Sequence, residues 1–261
     1  FHLKEDPLMN ARHFLLLARR AHVRRHAVAG LRGARFRGGA RALRGARAAL
    51  WWAVNELAVR TLTGLILIVA ALLVAFQGGY LLAIVVAAIA TAMFYEWTRL
   101  TRGWGALWYI GGFIYALLPA LALLWIRERA GINLLLWVFI VTWSTDIGAY
   151  FAGRAFGRRK LAPTISPGKT IEGLHGGIAA ATLLGGAFVF AMGLSKALLV
   201  CAPVFAIAAQ AGDLFESAMK RRAGVKDSGA WLPGHGGVLD RLDGLVPVAV
   251  LTAAVQLLGL A

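Results

Sequence analysis

The chain has 261 residues, of which 59% are hydrophobic, and its formal net charge is +16. Soluble domains contain about 45–50% apolar residues, so this composition excludes an ordinary soluble globular domain. The apolar residues gather in runs of about 20, the length at which a helix crosses the hydrocarbon core of a bilayer. We therefore predict an all-α fold, a polytopic integral membrane helical bundle with about seven transmembrane spans and two charged loops.

The first 55 residues differ in composition from the rest of the chain. The stretch 12–47 contains eleven arginines and no acidic residue. We expect residues 1–55 to form a disordered basic arm, with attraction to anionic lipid headgroups or nucleic-acid binding as alternatives. Residues 56–261 are expected to form the membrane-embedded domain that carries the function.

The basic residues predict how the spans are oriented. The predicted spans lie, in chain order, at residues 57–76, 79–98, 104–126, 132–151, 174–193, 196–213 and 245–261. With this arrangement the arm, the 99–103 turn and the polar segments 152–173 and 214–244 share one side. Counted with Arg60 at the start of the first span, this side holds 25 of the 28 Lys and Arg residues. Because basic connections stay in the cytoplasm, we expect an integral membrane protein whose polar segments face the cytoplasm.

Two acidic residues fall inside predicted spans. Glu96 is near the end of the second span, where we expect it at the membrane interface, with an additional polar contact as the alternative. Asp146 is inside the fourth span, and an ionisable residue there is a functional candidate by default. A hydrogen bond between Asp146 and Ser144, Thr145 or a neighbouring helix is the structural alternative.

The polar segment after the fourth span contains Gly-Lys-Thr at 168–170. A P-loop would require glycine at position 163, which is Pro163, and would require a preceding strand, which we do not predict. We therefore exclude a P-loop. Lys169 and Thr170 are still candidates for contacts with phosphate, and Glu172 is a candidate ligand or a partner that orients Lys169.

The end of the sixth span carries acidic residues. Asp213, Glu216 and Ser217 are spaced i, i+3 and i+4, so they share one face of a helix. A carboxylate among apolar neighbours is costly without a partner, and Mg²⁺ prefers oxygen ligands. We predict that this face contributes to a divalent-metal site; a helix end that simply becomes polar at the interface is the alternative.

Cations follow directly in the chain. Lys220, Arg221 and Lys226 are candidates for binding phosphate oxygens, which charge-assisted hydrogen bonds favour. Asp227 comes immediately after Lys226, and this acidic neighbour favours a phosphate pocket. Ordinary anchoring of a cytoplasmic loop by basic residues is the alternative.

Glycines dominate the next turn. Backbone N–H groups exposed in such turns cradle anionic oxygens, so Gly236 and Gly237 are candidates for nucleotide binding. His235 lies beside them and would bind phosphate or act in acid–base chemistry; a structural turn residue is the alternative.

Asp240, Arg241 and Asp243 lie where the seventh helix is predicted to begin. The two carboxylates are spaced i, i+3, and with Asp213 they would bring two acidic helix ends toward one ion. Arg241 would neutralise charge or bind phosphate.

The segment 217–243 resembles the signature of phosphatidate cytidylyltransferase, also called CDP-diacylglycerol synthase. The family pattern is S-x-apolar-K-R, four residues, K-D, a small residue, then P-x-H-G-G and D-R-x-D, and this chain matches every fixed position. SPGKTIEG at 166–173 and DIGAY at 146–150 resemble two further elements of the family. The resemblance covers about residues 59–261 and leaves the arm outside.

This resemblance implies a nucleotidyltransferase of phospholipid biosynthesis. It would transfer CMP from CTP to phosphatidic acid, giving CDP-diacylglycerol and pyrophosphate, with Mg²⁺ and with a second, monovalent ion left open. The catalytic residues implied are Asp213, Lys226, Asp227, His235, Asp240, Arg241 and Asp243. The substrate-binding residues implied are Asp146, Lys169, Ser217, Lys220, Arg221, Gly236 and Gly237. The metal ligands implied are Asp213 and Asp240, with Asp243 and Glu216 nearby. A homodimer in the membrane is implied by the resemblance alone.

Other functions are compatible with parts of the sequence. A CTP-dependent lipid kinase of the polyprenol or phytol type would share the polytopic body but transfer a γ-phosphate to an alcohol. A transporter without chemistry would spread polar residues along its spans, whereas here they crowd one membrane face. A scaffold that binds nucleic acid is allowed by the arm, and nothing in the rest of the chain requires it.

Overall fold

The computed structural model describes residues 61–229, 231 and 236–259. Its helices are α1 (Thr61–Gln77), α2 (Gly79–Leu100), α3 (Ala106–Trp125), α4 (Ile132–Phe156), α5 (Ile171–Met192), α6 (Ala197–Arg222), α7 (Leu239–Leu242) and α8 (Leu245–Leu257). A π-helical turn, Ile126–Ala130, continues α3. Strands β1 (Lys160–Ala162) and β2 (Ser166–Thr170) pair in an antiparallel hairpin. The predicted basic arm lies outside the described residues.

The predicted helical membrane bundle is confirmed. Five helices are long and apolar enough to cross a membrane, namely α2, α3 with its π-helical turn, α4, α5 and α6. Helices α1 and α8 are apolar but shorter, and they coincide with the first and last predicted spans. The count of seven spans therefore stays a prediction.

The prediction that no strand precedes Gly-Lys-Thr was wrong, because β1 comes before it. The exclusion of a P-loop still stands, since Gly168 and Lys169 belong to strand β2 itself and not to a loop between a strand and a helix. The side chain of Thr170 accepts a hydrogen bond from Gly173 N at 3.0 Å and so caps the start of α5. An N-cap hydroxyl satisfies a helix N–H group that would otherwise lack a partner.

Arg127 joins α1 to the far end of α3. Its Nε donates to Ala75 O at 2.8 Å and its Nη2 to Phe76 O at 3.0 Å, so it satisfies carbonyls at the end of α1. Gly78, which lies between α1 and α2, has a φ of 63°, and a Cβ there would lie 2.9 Å from the Arg127 guanidinium carbon. Glycine is therefore required both for the backbone conformation and for the space.

Helices α4 and α5 approach each other closely through small residues. A Cβ at Gly176 would lie 2.1 Å from the Cβ of Ala152, and a Cβ at Gly148 would lie 2.6 Å from Gly176 O. Small residues allow the two helix backbones to approach this closely. Within a membrane such contact stabilises the pair, because dispersion and not the hydrophobic effect drives helix association. This packing fixes Asp146 and the hairpin relative to the rest of the bundle.

Two of the three core clusters that the described residues form share α6. The larger surrounds Trp137 of α4, whose Nε1 donates to Gly185 O at 3.2 Å, and includes Ala206 of α6 and Val248 of α8. The smaller surrounds Trp97 of α2 and includes Met219 of α6. Because α6 contacts both clusters, its polar end lies between the cluster around Trp137 and the cluster around Trp97.

Three connections meet at one end of the bundle. Arg221 Nε donates to Ile165 O in the hairpin at 3.2 Å, which joins the hairpin to the end of α6. The Arg222 guanidinium lies 4.4 Å from the ring centroid of Trp104, in the turn after α2. The turn, the hairpin and the segment after α6 therefore share one end, as the distribution of basic residues predicted.

Candidate active site

Lys169 connects the hairpin to the acidic end of α6. Its Nζ lies 2.6 Å from Asp213 Oδ2 and donates to Gln210 Oε1 at 2.8 Å. Asp213 Oδ1 accepts a hydrogen bond of 3.3 Å from Ser217 Oγ, one helical turn further on. Asp213 and Ser217 thus share a helix face, as their spacing predicted. Gln210 was missed, although a lone amide in an apolar helix was a signal for it.

Lys220 binds two carboxylates from different elements. Its Nζ donates to Asp240 Oδ1 at 2.5 Å and lies 3.1 Å from Glu216 Oε1. The Glu216 side chain is fully buried and that of Lys220 is nearly so. A buried charge requires such a partner, because desolvation of an isolated ion is costly. Lys220 therefore holds the end of α6 against α7.

The second oxygen of Asp240 organises the segment before α7. Asp240 Oδ2 accepts hydrogen bonds from Ser228 N at 2.9 Å, Ser228 Oγ at 3.0 Å and Gly237 N at 2.8 Å. Burial of this carboxyl raises its pKa, but the hydrogen bonds, led by that from Lys220, outweigh burial and lower the pKa to about 2. Asp240 is consequently an anion held by donors on both oxygens.

Glu96 is buried and not exposed at the interface, so the alternative of a polar contact is correct. Its Oε2 accepts from Ser228 Oγ at 3.0 Å and from Leu239 N at 2.8 Å, and its Oε1 accepts from Val238 N at 3.0 Å. Sequence analysis missed the contribution of Glu96 and Ser228 to this site. A glutamate inside an apolar run was the available signal, but its partners lie more than 130 residues away.

Three acidic residues from α4, α6 and the start of α8 converge. Asp146 interacts electrostatically with Asp213, Lys169 and Arg241. Burial raises the pKa of the Asp243 carboxyl, and the nearby Asp213 carboxylate raises it further. The hydroxyls of Ser144 and Thr145 donate to carbonyls of their own helix and not to Asp146, whereas the alternative of a bond between Asp146 and a neighbouring helix stays a prediction.

The backbones of α6 and residue 243 lie in close contact. A Cβ at Gly212 would lie 2.3 Å from Asp243 O, so only glycine permits this approach. The contact brings the Asp213 and Asp243 side chains to the same place, as predicted for two acidic helix ends.

Glu216 has the properties of a candidate cation ligand. Both of its oxygens are buried, and although Oε1 lies 3.1 Å from Lys220 Nζ, neither oxygen accepts a hydrogen bond of good geometry; the nearby Tyr115 hydroxyl is also buried without one. A buried unsatisfied carboxylate is costly, and the hard oxygens of Glu216, Asp213 and Asp243 suit Mg²⁺ in their chemistry. Within the described part of the chain, however, no three acidic, His or Cys side chains stand together in an arrangement that would hold an ion. Lysines pair with Asp213 and Asp240 instead.

Not every predicted residue in the described part of the chain bonds to these lysine–carboxylate pairs. Lys226 and Asp227 are exposed. Asp227 lies near Gly236, where a Cβ would be 3.6 Å from the Asp227 Cβ and 2.9 Å from Asp240 Oδ2. Arg221 binds backbone carbonyls at Ile165 and Val225. His235 lies outside the described residues.

Glu172 does not orient Lys169. It accepts hydrogen bonds from the backbone N–H groups of Arg158 and Arg159 and lies 3.6 Å from Arg159 Nε. Its role is to hold the chain before the hairpin.

Comparison with known proteins agrees with this arrangement. The cytidylyltransferase family matches residues 102–258. A phosphatidate cytidylyltransferase of Brucella suis is 46% identical over 199 residues, 71% of this chain and 69% of the relative. One of Pseudomonas aeruginosa is 41% identical over 188 residues, 67% of each chain. One of Haemophilus influenzae is 50% identical over 124 residues, 44% of this chain and 42% of the relative.

The fold and the site define a polytopic integral membrane protein with lysine–carboxylate pairs at one end of its bundle. The chain belongs to the cytidylyltransferase family, and the resemblance to phosphatidate cytidylyltransferases that its sequence predicted is confirmed.

Proposed function

We propose that this protein is a phosphatidate cytidylyltransferase, which transfers CMP from CTP to phosphatidic acid. A phosphate oxygen of the lipid attacks the α-phosphorus of CTP, the bond to the β-phosphate oxygen breaks, and pyrophosphate leaves. The products are CDP-diacylglycerol and pyrophosphate, a step in phospholipid biosynthesis.

The observation that carries the proposal is the pairing of two lysines, one half-buried and one buried, with carboxylates of α6 and α7. Lys169 is bound to Asp213, and Lys220 is bound to Asp240 and Glu216. Two anions must come together in this reaction, so neutralisation of charge is the main task of the site. Lysines held by carboxylates are fixed in place before the substrates arrive, which lowers the cost of reorganisation.

Each cation has a role that follows from its location. Lys169 is on the hairpin and Lys220 is on α6, so they would contact substrate phosphates from two sides. Arg241 is exposed beside Asp146 and would contact the nucleotide or the lipid phosphate. Gly237 N is committed to Asp240, so we assign Gly237 to the shape of the turn and not to an anion cradle.

We also propose that the site uses Mg²⁺, which would be bound mainly by substrate phosphates, with Asp213, Glu216 and Asp243 as candidate carboxylate ligands. When bound, the ion would neutralise phosphate oxygens and polarise the reacting phosphorus. Support comes from the buried Glu216 oxygens, which contact Lys220 but accept no hydrogen bond of good geometry, and from the interaction between the Asp213 and Asp243 carboxyls. The predicted role of Asp240 as a ligand stays a prediction, because Lys220 and the turn engage both its oxygens.

The proposed location is the bacterial inner membrane, with the site on the cytoplasmic face where CTP is available. The basic connections that meet at this end support it. A homodimer is proposed on the resemblance alone.

A product assay tests the function. Purified protein in liposomes receives phosphatidic acid, Mg²⁺ and CTP labelled on the α-phosphate. We expect label in the extracted lipid together with release of pyrophosphate. Label in lipid only when γ-labelled CTP and a polyprenol are supplied would show a lipid kinase instead. No transfer from either nucleotide would contradict catalysis.

A further inference from the structure

We propose that Glu96 is a positioning residue for the reaction: from α2 it holds Ser228 and residues 237–239 in the conformation that places Asp240 and Lys220. Glu96 lies before the residues that the family comparison matches. The activity test of this inference rests on the proposed cytidylyl transfer.

The first argument is that both oxygens of the buried Glu96 carboxylate accept hydrogen bonds. The Glu96 side chain has no exposed surface, and both of its oxygens accept hydrogen bonds from the segment before and at the start of α7. A buried carboxylate in a membrane helix is costly and persists where it is satisfied. Here its donors are the backbone N–H groups of Val238 and Leu239 and the hydroxyl of Ser228.

The second argument is that two glycines beside Glu96 leave room for its carboxylate. A Cβ at Gly229 would lie 2.2 Å from Glu96 Oε1. A Cβ at Gly237 would lie 2.6 Å from Glu96 Oε2 and 2.1 Å from Ser228 Oγ. Both distances are far below van der Waals contact, so these glycines allow the backbone to surround the carboxylate.

The third argument is the route from Glu96 to the lysine–carboxylate pairs. Ser228 Oγ lies 3.0 Å from both Glu96 Oε2 and Asp240 Oδ2. Because a hydroxyl has a single proton to donate, it bonds one of these carboxylates at a time and contacts the other. The other Asp240 oxygen binds Lys220. Displacement of Ser228 and Val238 would therefore move Asp240 and, with it, the cation proposed to meet phosphate.

The test compares Glu96→Gln with the matched control Glu128→Gln. Glutamine keeps the size of the side chain but presents an NH₂ group to one set of donors, so it cannot accept all three hydrogen bonds. Glu128 is exposed in the π-helical turn at the far end of α3, and its replacement by glutamine removes the same charge. We expect kcat for CDP-lipid formation to fall about 10- to 100-fold in Glu96→Gln, the usual effect of losing a group that orients site residues. Glu128→Gln should keep wild-type kcat.

Two measurements separate positioning from general stability. Hydrogen exchange should become faster at Val238 and Leu239 and stay unchanged in α4. Melting temperature in detergent should fall in either case, because a buried donor loses its acceptor. A positioning role also lowers kcat per folded molecule, whereas a merely structural role leaves kcat per folded molecule unchanged. Wild-type kcat and unchanged exchange at Val238 and Leu239 in Glu96→Gln would overturn the proposal.

Ser228→Ala provides a second route if Glu96→Gln does not fold. It removes the hydroxyl but leaves the backbone donors. Reduced kcat would support the proposal, and full wild-type kcat would overturn it. A wild-type protein that makes no CDP-lipid would contradict the proposed function, and the exchange of Val238 and Leu239 would then still test the role of Glu96.

Discussion

Lys169 Nζ lies 2.6 Å from Asp213 Oδ2, and this contact joins a β-hairpin between α4 and α5 to the acidic end of α6. Gln210 provides a second acceptor for the same ammonium group. A lysine held in this way is oriented toward the site without a bound substrate. In the proposed reaction it would exchange part of this contact for a substrate phosphate.

Lys169→Met should therefore reduce kcat/KM for CTP by about 100-fold or more, the scale reported for removal of one preorganised electrostatic donor. Methionine keeps the length of the side chain and removes the charge. The measurement is the α-labelled CTP assay on protein matched for amount. Lys196→Met is the control, because Lys196 is exposed before α6 at the other end of that helix. Equal losses in both variants would contradict a specific role for Lys169.

Lys220→Met should destabilise the fold. It would leave Glu216 and Asp240 without their shared cation, and removal of one partner from a buried pair costs about 3–5 kcal/mol. Unfolding in mixed micelles measures the change in free energy. Lys226→Met is the stability control, because Lys226 is exposed and should change the free energy of unfolding by less than about 0.5 kcal/mol. A stability for Lys220→Met equal to that of the control would show that the pair is not important for the fold.

Gly237→Ala should reduce activity because its Cβ would collide with Ser228 Oγ. The turn would have to open, which would separate Gly237 N from Asp240. We expect a loss of kcat with little change in the amount of folded protein. Gly111→Ala is the control, since a Cβ there meets nothing within 4 Å. Wild-type activity in Gly237→Ala would show that the turn tolerates the shift.

Removal of divalent cations should abolish activity, and Mg²⁺ should restore it. Glu216→Gln should raise the Mg²⁺ concentration needed for half-maximal activity by about 10-fold or more. The measurement is a Mg²⁺ titration of CDP-lipid formation after treatment with EDTA. Full activity in excess EDTA would contradict the proposed ion, and an unchanged titration in Glu216→Gln would contradict this ligand.

Several local features of the site were predictable from sequence. Asp213 and Ser217 were placed on one face by helical spacing, and their side chains are hydrogen-bonded. The carboxyls of Asp213 and Asp243 also interact, whereas the predicted convergence of the two acidic helix ends on one ion stays a prediction. Thr170 and Glu172 were not predictable in the same way, because their partners depend on how the hairpin meets α5.

The sequence alone determined that this is a helical membrane protein and that its polar chemistry lies in two segments, because hydrophobicity and helical spacing are local properties of the chain. Only the tertiary structure decided which lysine binds which carboxylate and why Glu96 is buried. Ser228 is 132 residues from Glu96 along the chain, and their contact exists only because α2 and α6 end at the place where α7 begins. No spacing in the sequence predicts the contact between Glu96 and Ser228, because this contact depends on how the two core clusters pack around α6.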